Sequence, residues 1–301
     1  MKLTTVAFDD KVFIGLVEEA GILALNDVEE KHTGRRPYAE DLVTCMEQED
    51  FLDKVSDLVN WVEEQNDKAE FYIPMEKVKL LAPIPKPRKN IFCVGKNYEE
   101  HAIEMGSKED IPEHVMVFTK APTTVIGHMD DILEHSEVTN ELDYEGELAI
   151  VIGKRGKGIE KEEALGYIFG YTILNDITAR DLQKKHKQFF IGKSLDTSAP
   201  MGPWIVTSDS IPNPNELTIT TTVNGEIRQQ SNTKHFIFPI EEVISVLSKG
   251  MTLEPGDIIA TGTPAGVGKG FNPPRFLKDG DSIEIFVEGI GTLLNKVVRD
   301  E

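Results

Sequence analysis

The chain has 301 residues, 40% of them apolar, and a net charge of −20 from 52 acidic and 32 basic side chains. That is enough apolar material for one large domain, or one domain with a small accessory unit. The negative field repels phosphate backbones, which excludes nucleic acid as an expected partner, while a local cation could still reverse the sign for a small anion.

In chain order, the first 35 or so residues alternate short β-like runs (Leu3 to Phe8, Val12 to Val17, Ile22 to Leu25) with polar turns. Tyr38 to Asn66 reads as helical, with Leu42, Val43, Met46, Leu52, Val55, Leu58, Val59 and Val62 at three and four spacings. LLAPIPKPRKN follows, and its three prolines predict an extended junction between a small N-terminal unit and the main domain. IFCVGKN predicts a strand ending at Gly95. NYEEHAIEMG predicts a helix capped by Asn97, with Glu100 in the capping-box position and Gly106 as the stop. The rest is short strands and glycine or proline turns, with helical patterns at Lys161 to Leu165, Ala179 to His186 and Ile240 to Lys249. The balance predicts an α+β, mostly β fold and not a doubly wound sheet.

Cys45 and Cys93 form no CxxC pair, which argues against a disulfide framework or a thiolate zinc site. No signal-peptide h-region opens the sequence, and no apolar run approaches the roughly 20 residues of a membrane span, so a cytoplasmic protein without membrane partners is expected.

The chemistry concentrates in a few stretches. In LDYEGELAIVIGK, Glu145 and Glu147 stand two apart at the head of an apolar strand, so both carboxylates share one face. Asp176 ends a second apolar strand, YTILND, 31 residues after Glu145. Three carboxylates without a nearby His or Cys suit a hard cation, Mg²⁺ or Mn²⁺; the plain alternative is a set of solvated strand ends. His101 and Glu104, at i and i+3, can share a proton, or simply sit on a surface helix. Lys120, Lys193 and Arg180 could balance the carboxylates and bind an anionic substrate. TPAGVGKG and KQFFIGKS imitate a P-loop, but neither keeps both glycines. In ATGTPAGVG, backbone N–H groups and the Thr263 hydroxyl could meet an oxyanion, or the glycines could serve only a tight turn.

The stretches GKNYEEHAIEMG, MVFTKAP, LDYEGELAIVIGK, NDITARDLQ, GKSLDTSAPMGP and IIATGTPAGVG resemble, in order and spacing, the fumarylacetoacetate hydrolase family over about Ile91 to Val298. The likeness is greatest to bacterial two-domain members near the acylpyruvase and oxaloacetate decarboxylase branch. It implies a mixed β-roll catalytic domain over 81–301, a small N-terminal α+β accessory domain over 1–80, and a homodimer. It also implies Glu145, Glu147 and Asp176 as ligands of Mg²⁺ or Mn²⁺. His101 and Glu104 become a water-activating pair on a lid helix that orders when substrate binds, and Lys193 the active-site lysine. Arg180 and Gln183 become substrate contacts, and Thr263 touches the substrate carboxylate. The implied reaction is C–C cleavage of a small β-dicarbonyl 2-oxo acid, by oxaloacetate decarboxylation or by acylpyruvate or fumarylpyruvate hydrolysis. The same chemistry permits 2-hydroxyhepta-2,4-diene-1,7-dioate isomerisation or oxaloacetate tautomerisation. The N-terminal unit leaves a scaffold role open as another class.

Overall fold

The computed structural model describes residues 1–300. Its backbone is mixed α/β with more strand than helix. A twelve-stranded sheet runs through the molecule in the order Tyr72–Ile73, Gly21–Ala24, Lys11–Glu18, Lys2–Phe8, Ala199–Thr207, Ile168–Asn175, Gly146–Ile152, Ile258–Ala260, Ile91–Gly95, Met116–Lys120. Two short strands lie off this path. A five-stranded sheet holds Glu226–Asn232, Thr218–Val223, Ser282–Val287, Gly291–Val298 and Asp131–Leu133.

The strand Gly146–Ile152 is buried along its whole length. Leu148, Ile150 and Ile152 join a core with Ile219, Ile283 and Ile285 of the second sheet and Ile240, Val243 and Ile244 of the helix Ile240–Ser248. Ala149 and Val151 join the opposite core, with Leu42, Phe51, Val55 and Leu58. Burial on both faces explains the unbroken apolar run, which a half-solvated strand would replace by alternation.

The helical pattern over Tyr38 to Asn66 resolves into two helices, Leu42–Met46 and Phe51–Glu63, and a further helix, Leu25–Thr33, occupies a region read as strand and turn. The N-terminal strands extend the long sheet through Lys2↔Val206 and Leu3↔Ile205. The proline-rich stretch is packed against them: Leu80 pairs with Val6, the Thr5 hydroxyl donates to the Pro83 carbonyl at 2.9 Å, and Ile84 is buried.

Candidate active site

Strand alternation puts Glu145 and Glu147 on the face that carries Ala149 and Val151. Register then supplies the third acid. Gly146 pairs with Asn175 and Glu147 with Leu174, so Asp176 emerges beside the glutamates and donates its N–H to the Glu145 carbonyl at 2.9 Å. One oxygen from each of Glu145, Glu147 and Asp176 lies within 4.8 Å of the others, and all three side chains are buried.

Cations surround this cluster. Lys193 Nζ is 2.7 Å from both Glu145 Oε2 and Asp176 Oδ2, and lies 4.8 Å from the Phe118 ring centroid. Lys120 Nζ donates to the Ile177 carbonyl at 2.9 Å and stands 2.8 Å from Asp176 Oδ1, at angles that make no hydrogen bond, so that oxygen accepts none. Arg180 reaches Asp143 Oδ2 through Nε at 2.8 Å and Glu145 Oε1 through an Nη at 2.7 Å, and donates to Gln183 Oε1 at 3.3 Å. Glu147 receives the Gly262 N–H at 2.7 Å in place of a cation.

Four buried carboxylates (Asp143, Glu145, Glu147, Asp176) thus face three buried cations (Lys120, Arg180, Lys193). Glu147 carries the imbalance. Burial pushes its pKa well above the usual carboxylate range, and the neighbouring Asp176 and Glu145 push it further. Burial also acts on Glu145, but Lys193 and Arg180 outweigh it and hold that carboxyl at about 2. Lys120 moves down because burial dominates, whereas Lys193 moves up because Asp176 and Glu145 together overcome its burial.

A cavity of about 490 Å³ opens on the cluster. Its walls include Glu145, Glu147, Arg180, Gln183, Lys193, Thr263 and His101, so seven of the ten sequence candidates converge there. Asp176 and Lys120 are enclosed beneath this surface, fully shielded from solvent. Lys120 stands against Asp176 as its counter-charge. Glu104 sits beside His101, its Oε2 3.2 Å from Nδ1, and its Oε1 accepts the Gly266 N–H at 2.9 Å. Because an ionised carboxylate can only accept, Nδ1 is the donor of that pair. The Thr263 hydroxyl gives its single hydrogen to the Gly146 carbonyl at 2.9 Å and accepts from Gln229 Nε2 at 2.7 Å; it reaches a carboxylate only by releasing Gly146.

The helix Glu99–Glu104 starts differently from its sequence signature. Tyr98 occupies the cap position without a side-chain bond. Asn97 is buried and turned inward, donating to the Phe238 and Thr261 carbonyls at 3.1 and 2.8 Å and accepting from the Phe238 N–H at 2.8 Å. Three tertiary bonds outweigh one local cap.

Two polar residues of the site escaped sequence reading. Asp143 accepts from the N–H groups of Tyr144, Gly268 and Lys269 as well as from Arg180. The signal was available, since Asp143, Glu145 and Glu147 continue one alternation through DYEGE. Gln229 clamps the Gly146 N–H to Thr263 and Pro264 from the second sheet, and nothing in its local sequence marks it.

Acids so enclosed, offset by lysines instead of water, are costly in a core that apolar residues could fill. Such a cluster on a cavity wall marks a candidate active site. The chain belongs to the fumarylacetoacetate hydrolase family: the model of the fumarylacetoacetate (FAA) hydrolase C-terminal region matches residues 90–298. It is 55% identical over 300 residues to the oxaloacetate tautomerase YisK of Bacillus subtilis strain 168, covering 99% of this chain and 100% of that protein. Among solved structures, a fumarylacetoacetate hydrolase from psychrophilic Exiguobacterium antarcticum superposes with a TM-score of 0.83 at 41% identity, each chain covered in full. The 2-hydroxyhepta-2,4-diene-1,7-dioate isomerase from Mycobacterium marinum gives 0.74 at 32%, covering 100% of this chain and 99% of that one.

Proposed function

We propose that this protein is a divalent-metal-dependent tautomerase of a small 2-oxo dicarboxylic acid of the oxaloacetate type, moving a proton between C3 and the 2-oxygen. The observation that carries this reading is the His101–Glu104 pair on the wall of the cavity that exposes Glu145 and Glu147. The likeness to an oxaloacetate tautomerase along nearly the whole chain ranks proton transfer above bond cleavage.

Glu145, Glu147 and Asp176 fit Mg²⁺ or Mn²⁺: they offer three hard carboxylate oxygens within 4.8 Å of one another, with no His or Cys among them. An ion held there would supply Lewis acidity to the 2-oxo oxygen. Four carboxylates, three cations and a divalent ion sum to +1, which favours an anionic ligand. Lys184 and Lys187 also line the cavity, beside Lys96 and Lys269, which pair with Asp110 and Glu141, and they give its mouth basic groups suited to a second carboxylate. Lys193 and Arg180 hold the acidic cluster in shape and face the ligand. Glu104 fixes the Nδ1–H tautomer of His101, leaving Nε2 as the basic nitrogen that takes the proton from C3 and returns it to oxygen.

C–C cleavage is the second reading, because the same pair could activate water. One assay separates the two: oxaloacetate, acetylpyruvate, fumarylpyruvate and the heptadiene diacid, each with EDTA or with Mn²⁺. Metal-dependent loss of the oxaloacetate enol without pyruvate or CO₂ supports tautomerisation, and stoichiometric pyruvate supports cleavage. Metal-independent turnover, or none on any 2-oxo acid, refutes both.

A further inference from the structure

We infer that Gly270 is a positioning residue for Glu104, and that the turn 262–270 is the element that sets the histidine–glutamate pair in register with the carboxylate cluster. The inference rests on the proton-transfer reading above. Three N–H groups of this turn each hold a different acid of the site: Gly262 holds Glu147 at 2.7 Å, Gly266 holds Glu104 at 2.9 Å and Gly268 holds Asp143 at 2.7 Å. Through Asp143 the turn also reaches Arg180, and through Arg180 it reaches Glu145. One short segment thereby fixes two groups of residues that come from distant parts of the chain.

Gly270 supplies the space for one of them. A Cβ added there would lie 2.1 Å from Glu104 Oε1, 2.4 Å from its Cδ and 2.7 Å from its Cγ, all inside contact distance. The backbone itself does not demand glycine at this position, because Gly270 is outside the positive-φ set. Its missing side chain is thus explained by the neighbour and not by the turn. The obstructed atoms are the end of a flexible side chain, so an alanine displaces Glu104 and leaves the fold in place. Gly266 is the contrast: its φ is +106° and a Cβ would meet the Arg228 carbonyl oxygen at 1.9 Å, so substitution there forces the backbone.

The test uses Gly270→Ala, Glu104→Gln and the double variant, with Gly250→Ala, where an added Cβ meets nothing within 4 Å, as the control. Gly270→Ala should lower kcat on the order of 100-fold, the lower end of general acid–base catalysis, with KM and Mn²⁺ affinity within about twofold of wild type. Glu104→Gln should lower kcat similarly, and the double variant should lose nothing further. In ¹⁵N-histidine-labelled protein, the His101 ring shifts of Gly270→Ala should show the Nδ1–H tautomer lost. A wild-type tautomer signature in Gly270→Ala, an equal loss of Mn²⁺ affinity, or an additive double variant would overturn the inference. If Glu104→Gln turns over like wild type, the proton-transfer role of the pair falls, and the tautomer comparison still decides whether Gly270 positions Glu104.

Discussion

Asp143→Asn is the substitution from which the site's construction can be read most directly. Asp143 is fully buried and receives four donors: Tyr144 N–H (3.0 Å) and Gly268 N–H (2.7 Å) on Oδ1, Arg180 Nε (2.8 Å) and Lys269 N–H (3.0 Å) on Oδ2. An asparagine has one acceptor oxygen, so either amide orientation turns an NH₂ towards two donors. The change also leaves Arg180 with Glu145 as its remaining acidic partner. Removing one partner of a buried ion pair costs about 3–5 kcal/mol, and the surviving amide oxygen reduces this to about 2–4 kcal/mol. In a chain of this size that corresponds to a fall in Tm of roughly 3–6 °C. Urea unfolding with EDTA and with Mn²⁺ measures the loss and tests whether it persists when metal is bound. A variant within about 0.5 kcal/mol of wild type, the range of ordinary surface changes, would refute the argument that Asp143 organises the turn and Arg180.

Burial and the neighbouring acids raise the Glu147 pKa in metal-free protein, so metal uptake should be coupled to proton release; calorimetry in two buffers of different ionisation enthalpy should find that release and an affinity that rises with pH. By the same sign, the metal-free fold should lose stability as the pH rises through that elevated value, and a flat pH–stability profile would contradict it. His101→Asn should lower kcat on the order of 10²-fold or more while Mn²⁺ titration gives an unchanged affinity; a large loss of metal would make His101 a ligand instead. Lys184→Met with Lys187→Met should raise KM for a dicarboxylic 2-oxo acid about tenfold and flatten its salt dependence, with little change for a monocarboxylic one. Equal effects on both substrates would remove the basic mouth from specificity.

Local patterns carried much of this. Strand alternation is a two-residue property, so DYEGELAIVIGK alone set Glu145 and Glu147 on one face at the head of an apolar strand. Helical spacing likewise paired His101 with Glu104. Apolar strand ends and nearby cations pointed to Asp176, Arg180 and Lys193, the family likeness added Gln183, and the cavity gathers their side chains or the acids beside them.

Partnership between distant segments was illegible. Asn97 looked like a cap because the local pattern fits one, yet its bonds go to Phe238 and Thr261, 141 and 164 residues away. The glycine turn could have been an oxyanion cradle or only a tight turn; in the fold the N–H groups of Gly262, Gly266 and Gly268 hold Glu147, Glu104 and Asp143. Lys120 was a candidate to balance the carboxylates, and only the fold shows that its partner is Asp176. By itself the sequence determined which residues share a strand face or a helix turn, because those periods are fixed by backbone geometry. Only the tertiary structure decided which acid meets which donor, because a buried hydrogen bond is chosen by whatever the folded chain brings within about 3 Å, regardless of separation in sequence.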